Sequence, residues 1–250
     1  NGAYNEIHGL AGNDTIRGGA GGDYLDGGVG SDTLDYSTSD LRVKIDLTAN
    51  SAAGGDAQGD QIVNFESVIG SASADILYGS TFANTLRGGN GNDFIDARNG
   101  NDKLYGDGGN DTLIGGAGFD VMDGGTGNDV LTGGALGDTL TGGLGADRFV
   151  YLTVTDSRNT TTDRDTITDF IRAQGDKIDV SKIDANSAAS GDQAFSFIGT
   201  GAFTGSAGQL RYVKQGSDIY VYGDVNGDKT ADFALQLDNL ATIAAGDFIL

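Results

Sequence analysis

The chain has no cysteine, proline or tryptophan, and only one histidine among its 250 residues. Without cysteine it can form neither a disulfide nor a thiolate zinc site. Basic residues are also scarce, since 15 Lys and Arg stand against 36 Asp and Glu, for a formal charge of −21. A polyanion repels nucleic acid and anionic membrane surfaces, so we expect no nucleic-acid partner. The complement that this charge predicts is a cation.

Long apolar runs and catalytic motifs are missing as well. No stretch approaches a membrane span, and residues 1–30 lack the basic start and apolar run of a conventional secretory signal. His8, the single histidine, cannot supply the paired histidines of an HExxH zinc site, and no GxSxG nucleophile motif occurs. We expect His8 to be a surface strand residue. Paired carboxylates formally allow glycosidase chemistry, but no substrate-binding aromatics surround them. We therefore expect no catalysis from this chain.

Glycine is abundant, with 44 residues, and it follows a nine-residue period together with one acid and one apolar residue. The period is clearest in GGAGFDVMDGGTGNDVLTGGALGDTLTGGLGADRFV, residues 115–150. Aligning on the acid gives three copies in residues 9–35 and nine in residues 70–150. The acid positions are Asp14, Asp23, Asp32, Asp75, Asn84, Asp93, Asp102, Asp111, Asp120, Asp129, Asp138 and Asp147. Two residues later stand Ile16, Leu25, Leu34, Leu77, Leu86, Ile95, Leu104, Leu113, Met122, Leu131, Leu140 and Phe149.

One large apolar residue per repeat cannot form a core by itself, so the repeats must stack into a solenoid. The residues around the apolar position suit a three-residue strand, and the glycines allow left-handed turns and close chain approach. If two repeats make one coil, acids 18 residues apart stack on the same edge. Asp75, Asp93 and Asp111 then lie on one edge, and Asn84, Asp102 and Asp120 on the other.

Stacked carboxylates about 4.8 Å apart repel one another unless a cation lies between them. Calcium suits this place because it takes six to eight hard oxygens, and glycine-rich turns expose carbonyls that add to the carboxylates. Magnesium is disfavoured because it retains its waters. Counting same-edge neighbours gives about eight ions, and we expect folding to depend on them. The alternative is a glycine-rich solenoid whose acids are merely solvated.

The repeats match the GGxGxDxUx nonapeptide, and the chain therefore resembles the RTX family of calcium-binding proteins. The resemblance implies a parallel β-roll with calcium between successive turns, held by aspartates of two turns and by glycine carbonyls. The residues so predicted as metal ligands are Asp14, Asp23, Asp32, Asp75, Asp93, Asp102, Asp111, Asp120, Asp129, Asp138, Asp147, Gly116, Gly118, Gly125 and Gly127. The copies GSASADILY and GSTFANTLR, residues 70–87, lose glycines and place Asn84 at the acid position, which puts calcium binding there in question.

Between the blocks, residues 36–69 predict two strands around the acidic loop GGDAQGD, whose Asp56 and Asp60 could hold an ion or form a plain turn. After Val150 the nine-residue glycine pattern ends, and segments with alternating apolar and polar residues, typical of antiparallel strands, begin. DTITDF, GDKIDVSKIDAN, AFSFIG, AGQLRY and DVNGDKTADF resemble the C-terminal domain of serralysin-type metalloproteases. DVNGDKTAD, residues 224–232, fits a hairpin turn or a metal site.

The chain ends in AAGDFIL, which resembles the tail that an ABC exporter reads in type I secretion substrates; a last core strand would look the same. We therefore predict an all-β protein, a parallel β-roll in two repeat blocks capped by a C-terminal antiparallel segment. The predicted segments are 1–35 and 70–150 for the blocks, 36–69 for the insert, and 151–250 for the cap and secretion region.

The predicted function is that of a calcium-binding module, secreted by the type I pathway of a Gram-negative bacterium and attached to an upstream domain of a larger exoprotein. The alternatives are a carbohydrate-binding or surface-assembly module, such as an adhesin or surface-layer element, and part of a serralysin-type metalloprotease whose catalytic domain lies elsewhere.

Overall fold

A computed structural model describes residues 2–250. Within that range the chain forms 24 strands, β1 to β24, and two short 3-10 helices, Gly55–Ala57 and Ala245–Asp247. No helix in this part of the chain has the length and apolar character that a membrane crossing requires. Nearly all of the regular structure is therefore β.

The strands form two sheets of twelve. The first sheet contains β1 (Glu6–His8), β3 (Tyr24–Asp26), β5 (Lys44–Asp46), β6 (Ser51–Ala53), β7 (Gln61–Val63), β9 (Ile76–Tyr78), β11 (Phe94–Asp96), β13 (Thr112–Ala117), β15 (Val130–Ala135), β17 (Arg148–Val150), β19 (Lys177–Asp179) and β24 (Phe248–Ile249). The second sheet contains β2 (Thr15–Ile16), β4 (Thr33–Asp35), β8 (Ser67–Ile69), β10 (Thr85–Asn90), β12 (Lys103–Gly108), β14 (Val121–Thr126), β16 (Thr139–Leu144), β18 (Asp165–Ile167), β20 (Ser196–Phe197), β21 (Gln209–Gln215), β22 (Asp218–Asp224) and β23 (Phe233–Leu237).

Successive repeats alternate between the two sheets, so each coil consists of two repeats. Strands 18 residues apart pair in parallel, which aligns Ile95 with Leu113 and Leu104 with Met122. All twelve apolar residues of the repeats are buried between the sheets, none more than 5% exposed. The predicted parallel β-roll is thus confirmed, and its core is a stack of one side chain per repeat.

The insert continues the roll. Strand β7 pairs with β3, and β8 lies between β4 and β10, so that Val68 aligns with both Leu34 and Leu86. The hairpin β5–β6 is antiparallel and joins β7 to β9 within the first sheet. Asp32 and Asp75 are 43 residues apart, which is not a whole number of nine-residue repeats. The hairpin accommodates the irregular spacing, and both sheets remain continuous.

The C-terminal region closes the far end of both sheets. Strands β18 and β19 add parallel strands to β16 and β17. The antiparallel strands β21, β22 and β23 then extend the second sheet, which confirms the predicted antiparallel cap. The last strand, β24, pairs with β19, and its Phe248 is 7% exposed.

Candidate metal centres between the coils

Each repeat aspartate uses one carboxylate oxygen to join two coils. The backbone N–H of Asp93 donates to Oδ1 of Asp111 at 2.7 Å, and that of Asp111 donates to Oδ1 of Asp129 at 2.7 Å. On the other edge the N–H of Asp102 donates to Oδ1 of Asp120 at 2.8 Å. The two predicted rows of acids, spaced 18 residues apart, therefore appear as two ladders along the edges of the roll.

The second oxygen of most of these carboxylates is buried and has no hydrogen-bond partner. Such Oδ2 atoms belong to Asp14, Asp23, Asp32, Asp93, Asp102, Asp111, Asp120, Asp129, Asp138, Asp147 and Asp165. A buried ionised oxygen without a partner is strongly unfavourable, because it has lost its hydration and gained nothing in exchange. A row of such atoms is explained if each one faces a cation.

The first glycine of each repeat faces these oxygens. A Cβ added to Gly106 would lie 2.4 Å from Asp111 Oδ2 and 2.5 Å from the carbonyl oxygen of Gly124 on the next coil. A Cβ on Gly115 would likewise lie 2.4 Å from Asp120 Oδ2 and 2.6 Å from the carbonyl oxygen of Gly133. Carboxylate and carbonyl oxygens of adjacent coils thus point into one small space that any side chain would fill.

The donor set at these spaces suits calcium. Among residues 2–250 no three or more His, Cys, Asp or Glu side chains converge on one point, so an ion here must take main-chain oxygens as well. Calcium accepts such mixed sets of carboxylate and carbonyl oxygens. The first glycines of the repeats were not among the predicted ligands, although their doubled occurrence, GG, is the signal that marks them.

The predicted ligands Gly116, Gly118, Gly125 and Gly127 lie where neighbouring coils come closest. All four have positive φ, and a Cβ on any of them would lie 1.5–2.2 Å from a carbonyl oxygen of the preceding coil. Their absent side chains allow the coils to stack. The carbonyls of Gly116, Gly125 and Gly127 face the following coil in the same way, at Gly134, Gly143 and Gly145.

Burial raises the pKa of the carboxyls in both ladders from Asp93 onward. The pKa of Asp93 rises to about 7 through burial and then through the neighbouring charges of Asp111 and Asp75, and that of Asp102 also rises to about 7. Burial raises the pKa of Asp111, Asp120, Asp129 and Asp147 to about 6. The adjacent Asp138 and Asp165 also have raised pKa values, first because of burial. The calcium-free ladder therefore holds its negative charge against a considerable cost.

A pH dependence follows from these raised pKa values. Between the free Asp value of 3.8 and about 7, the calcium-free fold binds more protons than the unfolded chain, so its free energy of unfolding falls as pH rises through this window. After calcium is removed with EGTA at neutral pH and the protein is exchanged into calcium-free buffer, we expect more β-structure by circular dichroism at about pH 5 than at about pH 8. Calcium should bind more weakly at the lower pH, because protons compete for the same oxygens. β-structure that increases with pH in the calcium-free buffer would contradict the prediction.

The ladders also contain four acids that the repeat pattern did not assign to them. The N–H of Asp23 donates to Asp60 Oδ1 at 2.8 Å, and that of Asp32 donates to Glu66 Oε2 at 2.8 Å. At the other end, the N–H of Asp138 donates to Asp165 Oδ1 at 3.0 Å, and the N–H of Asp147 donates to Asp176 Oδ1 at 3.1 Å. Each of these acids precedes by two residues an apolar residue of a strand, as in the repeats, but irregular spacing and missing glycines conceal the pattern.

Two other possible metal sites, and the predicted surface residue His8, make contacts within the protein. Asp60 Oδ2 accepts the hydroxyl of Tyr36 at 2.7 Å, while Asp56 lies in the 3-10 turn beside it. In the loop 224–232, Asp224 accepts the N–H groups of residues 226, 227 and 229, a pattern typical of a hydrogen-bonded turn. His8 lies on β1 at the surface, 3.1 Å from Glu6 Oε1.

Comparison with known proteins gives a family and several similar structures. Residues 9–250 match the family model described as Peptidase M10 serralysin C terminal. The AlgE6R2 subunit of the Azotobacter vinelandii mannuronan C5-epimerase is 26% identical, over 72% of this chain and 90% of that one, with a TM-score of 0.35. The extracellular lipase LipA of Serratia marcescens is 16% identical over the whole of this chain, with a TM-score of 0.36.

The chain spans 39% of the length of that lipase. No curated protein sequence matches it. The family model, however, covers nearly the whole chain, from the first complete repeat to the last residue, and the RTX-type repeats lie within it. The protein therefore belongs to the peptidase M10 serralysin C-terminal family.

Proposed function

We propose that this chain is a calcium-binding module that folds on binding Ca²⁺ outside the cell and carries a C-terminal type I secretion signal for a larger exoprotein. The observation that carries the proposal is the row of buried, unpartnered Oδ2 atoms on neighbouring coils. A carboxylate that is buried in this way stabilises the fold only when a positive charge faces it.

Seven pairs of adjacent acid positions have an unpartnered oxygen on both coils, and these are the proposed sites. The pairs are Asp14 with Asp32, Asp93 with Asp111, Asp111 with Asp129, Asp129 with Asp147, Asp102 with Asp120, Asp120 with Asp138, and Asp138 with Asp165. Carbonyls of the first glycines, such as Gly124 and Gly133, complete the oxygen sets. Bound calcium would neutralise the facing carboxylates, and the chain's own residues position them.

We also propose that the export signal is read before the chain folds, because the fold buries it. In the folded chain Phe248 is buried, and Asp247 forms an ion pair with Arg172 at 2.7 Å and accepts the N–H of Ala244. An exporter can therefore contact this tail only while the cap is open. In the calcium-poor cytosol the acidic chain stays open, and folding outside the cell then hides the signal.

The calcium sites are tested by the substitution Asp120→Asn. The amide keeps an oxygen to accept the N–H of Asp102 but replaces the second oxygen and removes the charge. Because Asp120 takes part in two of the proposed pairs, we expect two fewer calcium ions per chain by isothermal titration calorimetry. Asp192→Asn, at an exposed acid of the C-terminal region, is the control and should leave the stoichiometry unchanged. An unaltered stoichiometry in Asp120→Asn would contradict the assignment.

The export signal is tested by deletion of residues 247–250 in a Gram-negative host that carries a type I exporter. We expect the truncated chain to remain in the cell, because the exporter reads the terminal strand. Phe82→Ala, which alters an exposed side chain far from the cap, should be exported normally. Export of the truncated chain at the level of the full chain would contradict this part of the proposal.

The parent of this module is proposed to be a secreted enzyme, and a serralysin-type metalloprotease is favoured by the family match. The module itself is proposed to be non-catalytic. A carbohydrate-binding role receives less support, because Tyr24 and Tyr78 lie on the first sheet and Tyr105 lies on the second, so they form no common aromatic row. Proteolysis of casein by the complete parent, and none by this chain, is the expected outcome.

A further inference from the structure

Unpartnered carboxylate oxygens occur on both flanks of the roll but not in its middle. Within residues 2–250 they lie on aspartates up to Asp32 and again from Asp93 onward. Residues 33–92, called the central segment below, contribute none. The acid positions there are filled by Asp60, Glu66, Asp75 and Asn84, and the side chains of these residues find partners within the protein.

Two serines hydrogen-bond to the side chains of Asp75 and Asn84. Both oxygens of Asp75 accept hydrogen bonds from Ser71, Oδ2 from its N–H and Oδ1 from its hydroxyl at 2.9 Å. Nine residues later, Oδ1 of Asn84 accepts the N–H of Ser80 at 2.7 Å and its hydroxyl at 3.1 Å. We call Ser71 with Asp75 and Ser80 with Asn84 the serine clasps.

The clasps depend on the departures from the repeat that the sequence shows at residues 70–87. Ser71 and Ser80 occupy the second glycine position, and neither has the positive φ of Gly116 or Gly125. The serine N–H and hydroxyl can therefore turn toward the acid position. Asn84 also removes one negative charge and donates its amide to the carbonyl of Glu66 at 3.1 Å. Hydrogen bonds within the protein thus satisfy the acid positions here, where a cation is proposed elsewhere, and at Asn84 they involve no charge.

The central segment also has its own core and its own ties. Residues 36–69 bury eight apolar side chains, about two for every nine residues, whereas most ladder repeats bury one: Tyr36, Val43, Ile45, Leu47, Ala57, Ile62, Phe65 and Val68. Part of its backbone pairing lies within it, as in the hydrogen bond from the Tyr36 N–H to the Ile69 carbonyl at 2.9 Å and in the pairing of β5 with β9, while β7 also pairs with β3 and β10 with β12. The guanidinium of Arg98, on the next coil, binds both oxygens of Asp46 at 2.7 and 3.0 Å and lies over the Tyr78 ring.

From these observations we infer that the central segment orders without calcium and serves as the template on which the calcium-dependent coils assemble in both directions. The inference rests on the proposed function, since it divides the chain into coils that need the ion and coils that do not. Stacking of a new coil onto a formed one avoids the cost of nucleation, which is the advantage of a pre-ordered centre in a repeat protein.

Hydrogen–deuterium exchange of the full chain in EGTA at neutral pH tests the inference, because protected amides report the segments that stay closed. We expect slow exchange within residues 33–92 and fast exchange at the ladders, with protection everywhere once calcium is added. The double variant Ser71→Ala and Ser80→Ala should exchange at least about tenfold faster in the central segment in EGTA, since it loses two hydroxyl bonds to the acid positions. Ser190→Ala, at an exposed loop serine, is the matched control and should exchange like the unaltered chain.

Three other results would overturn the inference, and they separate it from the proposed function. Fast exchange throughout the chain in EGTA, reversed by calcium, would remove the template but leave the calcium-dependent module intact. Protection of the whole chain in EGTA would defeat both proposals. Unchanged exchange in the double serine variant would show that the clasps do not replace the ion.

Discussion

Removal of calcium with excess EGTA is expected to unfold the ladders on both flanks of the roll. At ten times the dissociation constant each bound ion stabilises the folded state by about 1.4 kcal/mol, so the seven proposed ions contribute on the order of 10 kcal/mol together. That is comparable to the whole free energy of unfolding of an ordinary domain. We expect loss of most of the β signal in circular dichroism, a larger hydrodynamic radius, and recovery of both on addition of calcium.

Magnesium at the same concentration is the control, and it should restore little of the structure because it retains its waters and requires strict octahedral geometry. A chain that remains equally compact and equally resistant to heat in EGTA would contradict the proposed function. Equal recovery with magnesium would instead show that simple charge screening is sufficient.

Gly118→Ala is expected to be the most damaging small substitution in the roll. A Cβ at Gly118 would lie 1.5 Å from the carbonyl oxygen of Gly100 on the preceding coil, and the residue has a φ of 150°. Because the opposing atom belongs to the backbone, neither coil can yield without separating from the other. We expect a loss of roughly 3 to 5 kcal/mol in the free energy of unfolding, measured by guanidinium denaturation in saturating calcium.

Gly216→Ala and Gly246→Ala are the matched controls for this substitution. Gly216 has a φ of 65° but nothing within 4 Å of an added Cβ, so it isolates the backbone strain, about 1 kcal/mol. At Gly246 an added Cβ also meets nothing within 4 Å, and we expect a negligible change. If Gly118→Ala cost no more than Gly216→Ala, the coils would not be packed as closely as the structure places them.

The spacing of acids and apolar residues predicted a stacked solenoid, and the resemblance to the RTX family implied that it is a parallel roll. Because a parallel coil of 18 residues repeats its backbone geometry, Leu104 must lie over Met122 and Asp102 beside Asp120 once the period is known. With two repeats to a coil, the same spacing predicted the two edges of aspartates. It works because each repeat is a local unit whose contacts lie at one fixed distance along the chain.

The insert and the ends of the ladders were not predictable in the same way. Glu66 occupies an acid position only because strand β8 pairs with both β4 and β10. That pairing depends on how the hairpin β5–β6 positions the chain that follows it. Asp165 and Asp176 follow loops that lengthen the coil, since they lie 27 and 29 residues after their ladder neighbours Asp138 and Asp147 instead of 18. The phase of a strand after an irregular loop is set by side-chain packing, on which a periodic pattern carries no information.

The sequence by itself determined the architecture, the acid edges and the kind of cation they suit, since period, charge and glycine content are properties of the chain alone. Only the tertiary structure decided which carboxylates lack a partner. Asp75 and Asp93 have the same place in the repeat, yet one is held by Ser71 and the other has a free buried oxygen. The physical reason is that hydrogen-bond satisfaction depends on the direction of individual donors in folded turns, and one serine in place of glycine redirects them.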